Sequence, residues 1–194
     1  MGLVSDRLLA AAFFIPKENR QQNQPIEALL QKAGAINIQR TAPDRMIECQ
    51  WARMACQAYT HNELTSHQLF VIQFMQSVFL GRGKYSEQEN NLPLEKDGNL
   101  KLVLTFRDAC EVLKPEVAYI ATHTYDAEFE SIVKNIERIE SYNAIEIAGD
   151  AGLLYMRGII ADCLVDPPPE YMPDKMPVSE GVLIFAGTGN SRWR

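Results

Sequence analysis

The 194-residue chain is 46% hydrophobic, 23% charged and 9% aromatic, with a formal net charge of −6 and a pI near 5.1. These proportions are those of a globular protein and exclude wholesale disorder, a collagen-like repeat and a disulfide-rich miniprotein. The acidic balance argues against a nucleic-acid or anionic-membrane binder, which would need a basic face, and no run approaches the roughly 20 apolar residues of a membrane helix.

The apolar run Leu8 to Ile15 is followed by Pro16-Lys17-Glu18-Asn19. No small-residue cleavage site follows it, so it predicts a buried first strand and not a signal peptide. Pro25 stands where a helix accepts proline, Ile26, Leu29, Leu30 and Ala33 follow at helical spacing, and Gly34 caps the end. Ile36 to Arg40 alternates as a strand does. Two readings fit residues 43–59. In one, Pro43-Asp44 turns a hairpin into a strand Met46–Trp51 that aligns Ile47, Cys49 and Trp51. In the other, Ile47, Trp51, Met54, Ala55 and Ala58 form one face of a helix. The apolar face changes parity near Ala52, as at a bulge, which favours the hairpin. Thr65 or Ser66 is placed to cap a helix carrying Leu69, Ile72, Phe74, Met75, Val78 and Phe79, with Gly81 as its stop.

Residues 82–99 read as a long loop between two halves. Beyond it, Phe106, Ala109, Cys110 and Leu113 predict a helix from Thr105, ended by Pro115, and Val117 to Ala121 predicts a strand. Asp126 to Glu140 carries the helical stripe Phe129, Ile132, Val133, Ile136 and Ile139. Gly152–Ile160 and Gly181–Ala186 read as strands. Between them, five prolines in the twelve residues Asp166 to Pro177 predict an irregular, polyproline-like loop. The two halves, 1–99 and 100–194, each show β-α-β order. The expected fold is therefore α+β, with two β-α-β-like halves forming a helix-on-sheet sandwich over a mixed or antiparallel sheet, together one compact domain.

The chemistry-bearing residues form no strong motif. Cys49, Cys56, Cys110 and Cys163 are at least seven apart, so no CxxC exists, and their apolar neighbours predict reduced buried thiols in a cytosolic protein. His61 and His67 are six apart, a spacing that suits neither a helix-borne metal pair nor a zinc finger. Asp150, Asp162 and Asp166 lack the calcium-loop pattern, and Gly187-Thr188-Gly189-Asn190 has no following helix to complete a phosphate cradle. Neither a metal nor a cofactor is expected. His123 follows a predicted strand and precedes a predicted helix, where α/β folds place ligands. With Asp126 or Glu128 orienting it, and Cys163 or Tyr125 assisting, it defines an alternative function as a small hydrolase or transferase; as an ordinary loop histidine before a capped helix it needs no such role.

The charge distribution carries more. Residues 1–97 are neutral overall, whereas Asp108 to Glu180 holds fifteen acids against five cations. That field, with Tyr125, Tyr142, Tyr155, Tyr171, Met172 and Met176 available as anchors, predicts a non-catalytic cytoplasmic protein-binding module whose partner is a basic protein. A concrete version is a bacterial immunity or inhibitor protein plugging a basic toxin through Glu128, Glu137, Asp166, Glu170, Tyr171 and Asp174. A structural subunit of a larger assembly is the remaining alternative.

Overall fold

A computed structural model describes residues 8–17, 23–40, 47–61, 67–75, 96–123, 153–158, 174–178 and 180–185. Its elements in chain order are β1 (Leu8–Pro16), α1 (Ile26–Lys32), β2 (Ile36–Arg40), β3 (Ile47–Trp51), β4 (Met54–His61), β5 (His67–Phe74), α2 (Lys96–Leu113), β6 (Val117–His123), β7 (Leu153–Arg157), β8 (Asp174–Val178) and β9 (Gly181–Phe185). The nine strands form one sheet in the order β2-β3-β4-β5-β1-β6-β7-β9-β8, and neighbouring strands run antiparallel throughout.

This sheet overturns the expected pair of β-α-β halves packed as a helix-on-sheet sandwich. β1 and β2 flank α1 in sequence, yet among the described strands β1 is central and β2 the outermost on its side. The β-α-β order in sequence is therefore not a β-α-β unit in space. The expected helix over 65–81 is also replaced, because His67–Phe74 is the strand β5 between β4 and β1. Gln68 to Phe74 are all buried. A strand covered on both faces carries apolar residues in succession, here Leu69 to Ile72, which also satisfies helical spacing, and the β-branched and aromatic content of Phe70, Val71, Ile72 and Phe74 decides for the strand.

Three smaller corrections follow. The parity change near Ala52 is a chain reversal: Trp51 pairs with Met54, and Ala52 and Arg53 both have positive φ, 50° and 68°, the signature of a type I′ turn. A bulge does exist, but in β2, where Asn37 (φ 52°) and Ile38 stand opposite the single residue between Glu48 and Gln50. α2 starts at Lys96 and not at Thr105. Finally, Asp174–Val178, assigned to the irregular proline loop, pairs with β9 as β8. Pro177 is tolerated there because β8 is the outermost strand on its side among those described, where a missing N–H breaks no interior ladder. The predicted helix 126–140 lies outside the described residues.

The core lies where α1 and α2 cover one face of the sheet. Phe13 of β1 stacks on Phe70 at 5.8 Å, meets the edge of Trp51 at 6.3 Å and lies 5.5 Å from Phe106 of α2. The Trp51 indole N–H donates to the Ala33 carbonyl at 2.8 Å, satisfying a buried donor and tying the β3–β4 hairpin to the end of α1. That end is a Schellman cap: the Ala35 N–H reaches the Leu30 carbonyl and the Gly34 N–H that of Gln31, with Gly34 at φ 80° as the left-handed residue the motif requires. α2 stops where Lys114 (φ 51°) bonds back to the Cys110 carbonyl and Pro115 bars a further turn. The opposite face is apolar too. Ala12, Phe14, Leu69, Val71, Val117, Tyr119, Leu154 and Met156 are all buried, with the Phe14 and Tyr119 rings 5.9 Å apart.

The Ala52–Arg53 turn holds two side-chain-bearing residues in a conformation that costs each of them about 1 kcal/mol or more. Replacing the pair with Asn-Gly should therefore raise the unfolding free energy by about 1–2 kcal/mol, read as a higher urea midpoint at unchanged m-value.

Candidate functional site

The sheet topology determines where the acid-rich segments attach. β6 ends at His123 and β7 begins at Leu153, beside it in register: Ile120 stands opposite Leu153, Leu153 opposite Phe185, and Phe185 opposite Asp174. The connection 124–152 thus leaves and returns at one end of the sheet. The connection 158–173 starts at the far end, after Arg157, but finishes at the same end, because β7 and β8 both run antiparallel to β9 and so parallel to each other. Asp174 is two strand spacings, about 10 Å, from Leu153. Together the two connections hold ten acids and two cations.

Of the predicted contact residues, Asp174 opens β8, while Glu128, Glu137, Asp166, Glu170 and Tyr171 lie in these connections, outside the described residues. His123 is the last residue of β6, opposite Leu8; its proposed partner Asp126 lies outside the described residues, as do Tyr125 and Cys163. Tyr155, counted among possible interface anchors, is a core residue, 1% exposed. Its position in β7 opposite Ala118 and Leu183 turns it to the helix-covered face.

Strand pairing brings together one group that the sequence spacing dismissed. His61 stands opposite Leu69, and His67 is two residues from Leu69 on β5, so both histidines share the face of the sheet opposite the helices. His67 Nε2 lies 2.7 Å from Glu116 Oε2, and the His61 ring meets the edge of Tyr59 at 5.2 Å. Backbone bonds from the Glu116 N–H to the Phe14 carbonyl and from the Arg157 N–H to the Glu116 carbonyl fix Glu116 in the gap between α2 and β6. The pair becomes an ion pair only when the imidazole is protonated. Among the described residues no three His, Cys, Asp or Glu side chains converge as a metal site. No described helix is long and apolar enough to cross a membrane.

No family model matches this chain, and no curated protein matches it. Among solved structures it is similar to the Pseudomonas aeruginosa T6SS protein PA0821, with a TM-score of 0.46 and 12% sequence identity, over 93% of this chain and 65% of that one. The chain therefore spans slightly less than two thirds of that neighbour's length.

The described cysteines are not poised for nucleophilic chemistry. Cys49, Cys56 and Cys110 are buried free thiols. Burial pushes Cys49 up to about 11 and, helped by the nearby Cys49, pushes Cys56 up to about 12. Burial also raises Cys110 well above its ordinary value and Tyr155 to about 12. A thiol whose folded value is raised keeps its proton in the native state after the unfolded chain has lost it. Stability from Cys49 and Cys56 is therefore complete below pH 9 and is lost as pH climbs through about 11 to 12. Urea denaturation at pH 8, 9 and 10 should show an unfolding free energy that falls mainly between pH 9 and 10, by at most about 1.4 kcal/mol per pH unit for each thiol. A Cys49→Ala/Cys56→Ala variant should show a flatter slope. At pH 8, native Cys49, Cys56 and Cys110 should resist a thiol-reactive dye that labels them promptly in denaturant.

Proposed function

We propose that this chain is a non-catalytic protein-binding module, a bacterial immunity or inhibitor protein that neutralises a basic toxin. The observation supporting this reading is the concentration of charge: ten acids against two cations in the two connections 124–152 and 158–173, both of which finish at the same end of the sheet. A toxin that acts on nucleic acid presents a cationic groove shaped for phosphates. Carboxylates on segments tethered to a rigid sheet can occupy that groove, and complementary fields speed their encounter.

In this reading Glu128, Glu137, Asp166, Glu170 and Asp174 supply the carboxylates and Tyr171 a rigid aromatic anchor. The segment that carries Asp166 and Glu170 contains Pro167, Pro168 and Pro169, residues whose fixed φ leaves less chain entropy to lose on docking. A mainly electrostatic encounter also makes the association rate, more than the dissociation rate, the quantity that salt controls.

The test is capture from the native source with the purified chain, beside a variant carrying Glu128→Gln, Glu137→Gln, Asp166→Asn and Glu170→Gln. The wild-type chain should retain a basic protein that the variant loses. The association rate with that protein should fall about ten-fold or more between 50 and 500 mM salt. A captured partner that the variant holds equally well, with kinetics indifferent to salt, would reject the acidic surface.

A further inference from the structure

We propose that the outer groove between α1 and α2 is a second docking site, of opposite polarity, which accepts an acidic segment of a partner protein. Two clefts of roughly 390 and 680 Å³ adjoin there, with Lys32 and Val112 in the walls of both. Lys101, Thr105, Asp108 and Val112 line the first cleft at helical spacing along the outward stripe of α2, and Leu113 and Lys114 continue the wall of the second. From Lys101 to Lys114 the groove extends about 20 Å, the span of about six extended residues.

Charge selects the occupant. Lys17, Lys32, Arg53, Lys101, Lys114 and Arg157 line the two clefts, and Asp108 is the one acid in their described walls. Arg107 already pairs with Asp108 at 2.6 Å. Glu180 bridges Lys114 at 2.6 Å and Arg157 at 3.0 Å at one end, and the Lys114 hydrogen bond holds its carboxyl below the usual range. The positive excess is concentrated around Lys32, Arg53 and Lys101.

Two exposed aliphatic side chains, Ile36 at 58% and Val112 at 55%, sit in the same walls. Carboxylates with apolar side chains between them match this alternation. Among the described residues no aromatic ring lines either cleft, so bases would have no stacking platform.

The groove is also preorganised. The Gln68 side chain exchanges two hydrogen bonds of 2.9 Å with the Gln24 backbone, one from the Gln24 N–H and one to its carbonyl, pinning the wall ahead of α1. Lys32 Nζ donates to Gln24 Oε1 at 2.7 Å. The Ala52–Arg53 turn, fixed by the β3–β4 hairpin, sets Arg53 in the wall of the first cleft.

The test measures fluorescence anisotropy of a labelled ten-residue peptide made of glutamates with leucine at every third position, titrated with the full chain. Saturable binding is expected, weakened about ten-fold or more by Lys32→Glu/Lys101→Glu and about three-fold by Val112→Ser. All these side chains are exposed, and unchanged thermal unfolding of the variants verifies that the fold survives. A lysine–leucine peptide should not bind. The proposal is overturned if the acidic peptide fails to bind, or binds the variants as tightly as the wild type. It is also overturned if an oligothymidylate of equal charge competes equally well, or if sedimentation shows a dimer abolished by Lys32→Glu/Lys101→Glu, which would make a second copy the occupant.

Discussion

Phe13 is where the two wings of the sheet and the helix layer meet. Its ring touches Trp51 from the hairpin wing, Phe70 from the neighbouring strand and Phe106 from α2. It lies on a strand whose alternate residues, Ala12 and Phe14, are equally buried on the other face. With both faces of this central strand covered, apolar side chains are favoured on each, and Ala10 to Ile15 is apolar at every residue. Trp51 extends the cluster to Phe74 at 5.9 Å and, through Ala33, to the end of α1. The position of the hairpin turn, and so of one wall of the outer groove, is inherited from this packing.

The chain separates its charges by structural role. The described side chains comprise eight Lys and Arg and six Asp and Glu, a framework close to neutral whose cations gather in the walls of the two clefts. The connections 124–152 and 158–173 carry the acid excess. A rigid sheet with its load of one sign on the connections and of the other on a helix groove has a directional field, and net charge alone describes it poorly.

Much of the fold obeys short-range rules and is readable as such. Pro25 and Gly34 bracket α1; the hairpin reading of 36–51 is built from alternation and turn chemistry; β6, β7 and β9 stand out as short apolar runs. What escapes these rules is pairing over distance. β5 satisfies helical spacing because apolar residues lie on both its faces, and its seat between β4 and β1 separates the two readings. β8 carries a proline that is forbidden in a central strand but harmless in an outer one, and its place in the sheet is a tertiary fact. The site shows the same division. The acid excess is visible in composition, whereas only the β4–β5 register puts His61 and His67 on one face of the sheet. The groove cations escape because Lys101 and its i+4 and i+7 neighbours look like any solvated helix face.

An open sheet has two flanks where a stray chain could add itself as a further strand, and here each of the outermost described strands carries an obstacle. β2 is kinked by the Asn37 bulge, so its outer backbone groups fall out of the even spacing that a straight intruder needs. β8 has Pro177 in place of a donor. These two irregularities therefore guard a long, strongly apolar sheet against edge-to-edge polymerisation, leaving association to side chains and not to the backbone.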